Sequence, residues 1–214
     1  YRVDQGATVE FWLKRAASVS SEETIFDIWN GETSGSAHYG RLKVEVNTSD
    51  AITVTMESGS NAFPNVTVIP SAVDGNWHHY AITFASASNG TTVKSFKNSQ
   101  YVGTTVQIGI GDILPQSSGI NATIGALRTG TLGNQKFSGS IDEFRYWKTE
   151  RTPEAIYNTW FIPVGGGTNK YDSNIDLGLY FKFNEGITTD TSLDSVALDY
   201  SGRINNGVIV GYTT

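Results

Sequence analysis

The sequence predicts an all-β protein, two antiparallel sheets packed as a sandwich with one short helix, on three observations. The composition favours strands joined by turns, with 23 Gly in 214 residues, many Ser, Thr and Asn, and abundant β-branched and aromatic side chains. Apolar residues alternate with polar ones in run after run. The runs are short and separated by turn-forming residues, and one domain of ordinary size accounts for the whole chain.

The first run, "ATVEFWL", puts Ala7, Val9, Phe11 and Leu13 on one face and Thr8, Glu10 and Trp12 on the other. "RLKVEVN" alternates Leu42, Val44 and Val46 with Lys43, Glu45 and Asn47, and "AITVTME" follows across the turn at 47–50, so the two predict a hairpin with one solvated face. "WHHYAITF" sets Tyr80, Ile82 and Phe84 together, and the Asn89, Gly90 pair before "VKSFKN" is a strong hairpin signal. Later strands are "NATIGAL", "SIDEFRYW", "GLYFKFN" and "NNGVIVGY". The expected core comprises Phe11, Leu13, Tyr80, Ile82, Phe84, Ile124, Phe144, Phe181 and Phe183.

The helix is marked by its own chemistry. Thr152 is placed to cap it, Pro153 occupies its first position, and Glu154 sits in its first turn, with an end near Trp160. Two turns cannot form a core element alone, so the helix is expected to plug one end of the sandwich with Ile156 and Trp160.

Charge excludes some partners. Fifteen Lys and Arg against 21 Asp and Glu leave a net charge of −6 with no basic run, which argues against nucleic acid and anionic membrane. No stretch approaches the roughly 20 apolar residues of a membrane span, and no signal peptide is visible. With no Cys, a disulfide framework and thiolate metal sites are excluded. The chain starts at Tyr1 and reads as a piece of something longer.

Five motifs in compatible spacing, "ATVEFWLKR", "GNWHHYAITF" with "GTTVKSFKNSQYVGTT", "ATIGAL", "FSGSIDEFRYWKTERTPEAI" and "LGLYFKFNEG" with "LDYSGRINNGVIVG", resemble laminin-G-like domains of the concanavalin A-like superfamily. The resemblance leaves out about 16–40 and 56–72. It implies a jelly-roll sandwich, a fold that hosts lectins, adhesion modules and hydrolase-attached domains alike. The last pair of motifs also resembles laminin-G-like virion proteins of tailed, particularly marine, bacteriophages. In the family this segment normally precedes the "TVEFW" strand, whereas here it comes last. Residues 1–164 are therefore expected to form the main body, 165–170 a Gly-rich connector, and 171–214 the closing strands of the same sandwich or the start of a following domain.

Asp142 and Glu143 are adjacent, so on a regular strand they point to opposite faces and cannot converge as a glycosidase pair. The E-x-D-x-E spacing of laminarinase-type relatives is missing, so no catalytic residues are expected and the chain is not read as an enzyme. Asp142 is expected to bond local backbone. Glu143 and Arg145 should pair beside Trp147, while Phe144 and Tyr146 turn to the core. Glu10, beside Trp12, should pair with Arg145. His78 and His79 lack a third ligand for zinc. The loop "RTGTLGNQK" carries no carboxylate, which argues against a pentraxin-type double calcium site, leaves open a single calcium ion bound through backbone carbonyls, and assigns no metal ligands.

Ligand-binding candidates lie in two presumed loops, 27–39 and 128–135. Trp29, His38, Tyr39, Arg128, Asn134 and Gln135 offer stacking faces and hydrogen-bonding groups suited to glycans, with core packing of Trp29 the alternative. The sequence thus predicts a non-catalytic module for attachment or structural interaction on a virion or extracellular surface, with glycans among its partners. The alternatives are a carbohydrate-specific lectin and, third, a glycan hydrolase. Partners would be virion or cell-surface proteins, and strand donation by 171–214 would produce a homo-oligomer.

Overall fold

The structure, a computed structural model, describes residues 1–2, 4–88, 90–116, 119–129, 132–164, 175–185 and 195–210. The all-β expectation holds. Alternation in β1 (Ala7–Lys14), β6 (His78–Ala87), β7 (Gly90–Lys97), β8 (Gln100–Ile108), β12 (Ser140–Trp147) and β13 (Leu177–Phe181) builds a six-stranded antiparallel sheet, in the order β13-β12-β1-β6-β7-β8. Facing it is a five-stranded sheet of β2 (Glu23–Trp29), β3 (Gly40–Val46), β4 (Ile52–Ser58), β5 (Asn61–Ile69) and β9 (Asn121–Ile124), in the order β5-β4-β3-β2-β9. Two small hairpins complete the described strands, β10 (Leu127–Thr129) with β11 (Leu132–Asn134), and β14 (Val196–Ala197) with β15 (Gly207–Val208).

The core lies between the large sheets, where Val9, Phe11, Tyr80, Ile82, Phe84 and Phe144 meet Phe26, Leu42, Val44 and Val54. Two expected core residues differ. Ile124 is only partly buried, and Phe183 is 38% exposed. Phe183 follows the end of β13 with a φ of 52°, which breaks the alternation, and it stacks on Phe181 instead.

The hairpin β3–β4 forms across the 47–50 turn, where Asn47 Oδ1 accepts from the Ser49 and Ala51 N–H groups. Its outer face is less solvated than the pattern predicts, because Glu45 and Thr53 are buried there, Glu45 beside Lys43 at 2.7 Å. The connector 165–170 and the turn residue Asn89 lie outside the described residues.

The helix α1 (Pro153–Thr159) begins as expected, with Thr152 Oγ1 accepting from Ala155 N–H at 3.1 Å and Pro153 leading. Its position is the correction. It does not plug an end of the sandwich but lies on the outer face of the six-stranded sheet, where Ile156 packs on Ala81 and Phe96. Those outward residues of β6 and β7 are small or apolar and leave the sheet a surface to be covered. No described helix is long and apolar enough to cross a membrane.

Candidate functional site

Helix α1 is fastened to the sheet by a buried ionic cluster. Glu10, fully buried on the outer face of β1, receives Arg151 Nη1 on Oε1 at 2.7 Å, while its Oε2 lies 3.5 Å from Arg145 Nη1 and 3.7 Å from His79 Nε2. Arg151 also donates to Thr159 Oγ1 and the Ala155 carbonyl and lies 4.1 Å over the Trp147 ring, so it ties the helix to the sheet. The expected pairing of Glu10 with Arg145 is present, since they face each other across β1 and β12, but Arg151 makes the shorter contact. Burial pushes the Glu10 carboxyl up; His79, Arg151 and Arg145 reverse this and hold it at about 2.

Arg145 then organises the chain that follows the helix. From beneath, its Nη1 donates to the Thr159 carbonyl at 3.0 Å and its Nη2 to the Ile162 carbonyl at 2.8 Å. The turn is thereby drawn against the sheet, and Trp160 stacks on Trp12, whose Nε1 donates to the Trp160 carbonyl at 3.2 Å. The loop 70–77 reaches over from the other side. Asp74 accepts from Asn76 N–H and pairs with His78 at 2.7 Å, and Gly75 N–H donates to the Arg15 carbonyl, which sets Trp77 at the rim, 41% exposed.

These elements enclose an open cavity of about 330 Å³, walled by Trp12, Trp77, Trp160 and Phe161 and lined on its polar side by Asp142, Glu143 and Arg145. That both carboxylates line it overturns the expectation from strand alternation. β12 carries a β-bulge: Glu10 pairs with Arg145 and Trp12 with Asp142, so Glu143 and Phe144 together face Phe11. Glu143 takes the extra position with a φ of 49°, which brings its side chain to the same side as Asp142 and Arg145.

Within the cavity Glu143 Oε2 accepts from Arg145 Nη2 at 2.9 Å and from the Tyr180 hydroxyl. Asp142 Oδ1 accepts from Glu143 N–H at 2.8 Å, the local backbone bond foreseen for it. Burial raises the Asp142 pKa, and the neighbouring Glu143 charge adds to this, against the backbone bond. The carboxyls come from adjacent residues of one strand and approach a ligand from the same side. A glycosidase pair instead flanks the bond it cleaves from opposite sides.

The loop candidates behave differently. Residues 27–29 belong to β2 while 30–39 form the expected loop between β2 and β3, and most of 128–135 belongs to the β10–β11 hairpin. β2 escapes alternation because a register shift between Thr24 and Phe26 interrupts it and sets apolar Ile25 and Phe26 side by side.

Trp29, Tyr39 and Arg128 do come together, around a two-pronged bond from Arg41 to Asp27 at 2.8 and 2.7 Å. Trp29 faces Arg41 across β3, and Tyr39 is buried with its hydroxyl 3.5 Å from Arg41 Nη1. Arg128 donates to Asn121 Oδ1 at 3.0 Å, and its carbonyl accepts from Arg41. Trp29 Nε1 donates to the Glu32 carbonyl. Gln135 sits apart, bonded to Thr24 and Glu22, while His38 and Asn134 are exposed elsewhere. The cluster braces its sheet through its own side chains.

Sequence reasoning missed Trp77 and Phe161 and gave Trp160 only a packing role. For Trp160 and Phe161 the signal was the apolar run "WFIPV" directly after the short helix. Among the described residues, no group of three or more His, Cys, Asp or Glu is placed to hold a metal ion.

Several solved structures share the architecture. A candidate carbohydrate-binding protein from Bacteroides ovatus matches with a TM-score of 0.63 and 19% identity over 96% of this chain and 53% of its own. The chain thus spans about half the length of that protein. The CBM40 module of a Ruminococcus gnavus IT-sialidase, solved with alpha2,3 sialyllactose bound, matches at 0.57 and 16% identity over 74% of this chain and 84% of the module. A leech intramolecular trans-sialidase matches at 0.54 and 17% identity, over 79% of this chain and 25% of the enzyme. At these identities the likeness is one of fold. No curated protein is significantly similar to the chain. The Laminin_G_3 family model matches residues 2–157, and on that match the chain belongs to the concanavalin A-like lectin/glucanases superfamily.

Proposed function

We propose that the protein is a non-catalytic glycan-binding module that attaches a larger protein to an extracellular or virion surface. The observation that carries the reading is the cavity in which Trp12, Trp77, Trp160 and Phe161 surround two carboxylates. Sugar rings present apolar C–H faces and rims of hydroxyls; aromatic walls take the first and carboxylate acceptors the second. At about 330 Å³ the cavity lies at the small end of ligand sites, suited to a terminal sugar rather than a long chain. The carbohydrate-binding descriptions of the Bacteroides ovatus protein and the sialidase module support the class of ligand. Placement on a virion or cell surface rests on the sequence resemblance to phage laminin-G-like proteins.

A glycan array with the intact chain, repeated with Trp77→Ala, tests this. Trp77 is 41% exposed, so its removal should leave the fold intact while weakening glycan binding at least tenfold. Binding that ignores the substitution would place the site elsewhere, and turnover of an array glycan would restore the hydrolase alternative.

A further inference from the structure

We infer that the cavity beneath Trp77 and Trp160 selects uncharged sugar termini and rejects sialic acids and uronates, the opposite of the sialyllactose-bound module that shares its fold. The inference rests on the glycan-binding reading and specifies its ligand. A carboxylate-bearing sugar is gripped most strongly by a cation with free donors, and a guanidinium fork is the usual means. Arg145 lines the cavity, but it is 1% exposed and its fork is committed to the Thr159 and Ile162 carbonyls and to Glu143. Its Nε, the donor without a partner, is sealed from solvent. Arg151 is spent on Glu10, Thr159 and Ala155. Two lysines come near without lining the cavity: Lys14, which faces Ser140 two positions beyond the Trp12 and Asp142 pair, and Lys182, whose ammonium lies over the Tyr180 and Tyr200 rings.

What faces the cavity is acidic. Asp142 Oδ1 is held by Glu143 N–H, and Glu143 Oε2 by Arg145 and Tyr180, while among the described residues the second oxygen of each carboxylate has no bonded donor. Two free acceptors side by side, beside an Arg145 whose fork is already committed, fit a pair of sugar hydroxyls that donate. They repel a ligand carboxylate. The upward displacement of Asp142, by burial and then by Glu143, agrees with a site in which no spare cation offsets the charge.

The test is binding of the full chain to matched probes, lactose against 3′-sialyllactose and cellobiose against its glucuronate-capped counterpart, titrated with wild type, Trp77→Ala and Asp142→Asn. At least one neutral probe should bind, its acidic counterpart at least tenfold more weakly, with neutral binding weakened by Trp77→Ala and the discrimination reduced by Asp142→Asn. Acidic probes bound equally or better, in a manner that Trp77→Ala abolishes, would overturn the charge inference while keeping the glycan reading. Failure of every probe, together with a blank glycan array, would remove the glycan reading and this inference with it.

Discussion

Replacing Glu10 by Gln is the sharpest perturbation of the layer between helix and sheet. The substitution preserves shape and removes one charge beneath Arg145, 1% exposed, and Arg151, whose side chain is 9% exposed. Removing one partner of a buried ion pair leaves an uncompensated charge and costs about 3–5 kcal/mol. The protonation equilibrium gives an independent figure. The folded carboxyl titrates at about 2 against an ordinary 4.5, which at about 1.4 kcal/mol per pH unit is worth about 3 kcal/mol. Because the folded value is the lower, this stability is fully present above pH 4.5 and is lost as pH falls through about 2. Urea unfolding of wild type and Glu10→Gln should therefore differ by about 3–5 kcal/mol at pH 7, and the two should converge as the pH approaches 2. A difference below about 1 kcal/mol at pH 7, or parallel curves down to the acid limit, would refute the reasoning. Double-mutant cycles add a ranking: Glu10 should couple more strongly to Arg151, at 2.7 Å, than to Arg145, at 3.5 Å.

Phe11, fully buried between the sheets, should cost about 3–5 kcal/mol when cut to Ala, and a denaturation midpoint unchanged from wild type would remove it from the core. We further propose that residues 171–214 close the sandwich of their own chain. β13 pairs with β12 from Leu177 to Phe181, and Leu177 and Tyr180 are fully buried, each worth about 1.5–3 kcal/mol. A fragment ending at 164 should lose several kcal/mol and associate through the bared edge of β12, whereas light scattering should find the intact chain monomeric at all concentrations. A stable monomeric fragment would contradict closure, and a dimer of the intact chain would favour strand exchange.

The strands were legible where apolar side chains alternate with polar ones, as in β1 and β6, because the inner face alone meets the apolar core even though helix α1 and the ionic cluster cover the outer face. β2 was not, since "ETIFDIW" sets apolar Ile25 and Phe26 side by side at a register shift, and its last residues passed for a loop. The cap of α1 was legible from Thr152 and Pro153, which act within one turn, but its seat was not. That seat depends on Ala81 and Phe96, about 70 and 60 residues away and themselves unremarkable as a pair.

The candidate site was hidden for a related reason. Adjacent carboxylates exclude a shared pocket only if the strand between them is regular, and a single extra residue reverses that geometry. Nothing in "SIDEFRYW" announces the bulge; it follows from fitting this strand to β1, where Glu10 must meet Arg145 and Trp12 must meet Asp142. The same fit gives the site its rigidity. Arg145 holds Glu143 on one side and the 159–162 turn on the other, so the aromatic wall and the acidic floor are set by one buried guanidinium. Substituting Arg145 would therefore disturb fold and site together, whereas Trp77, attached only by its loop, separates them. For that reason the functional tests rest on Trp77 and the stability tests on Glu10.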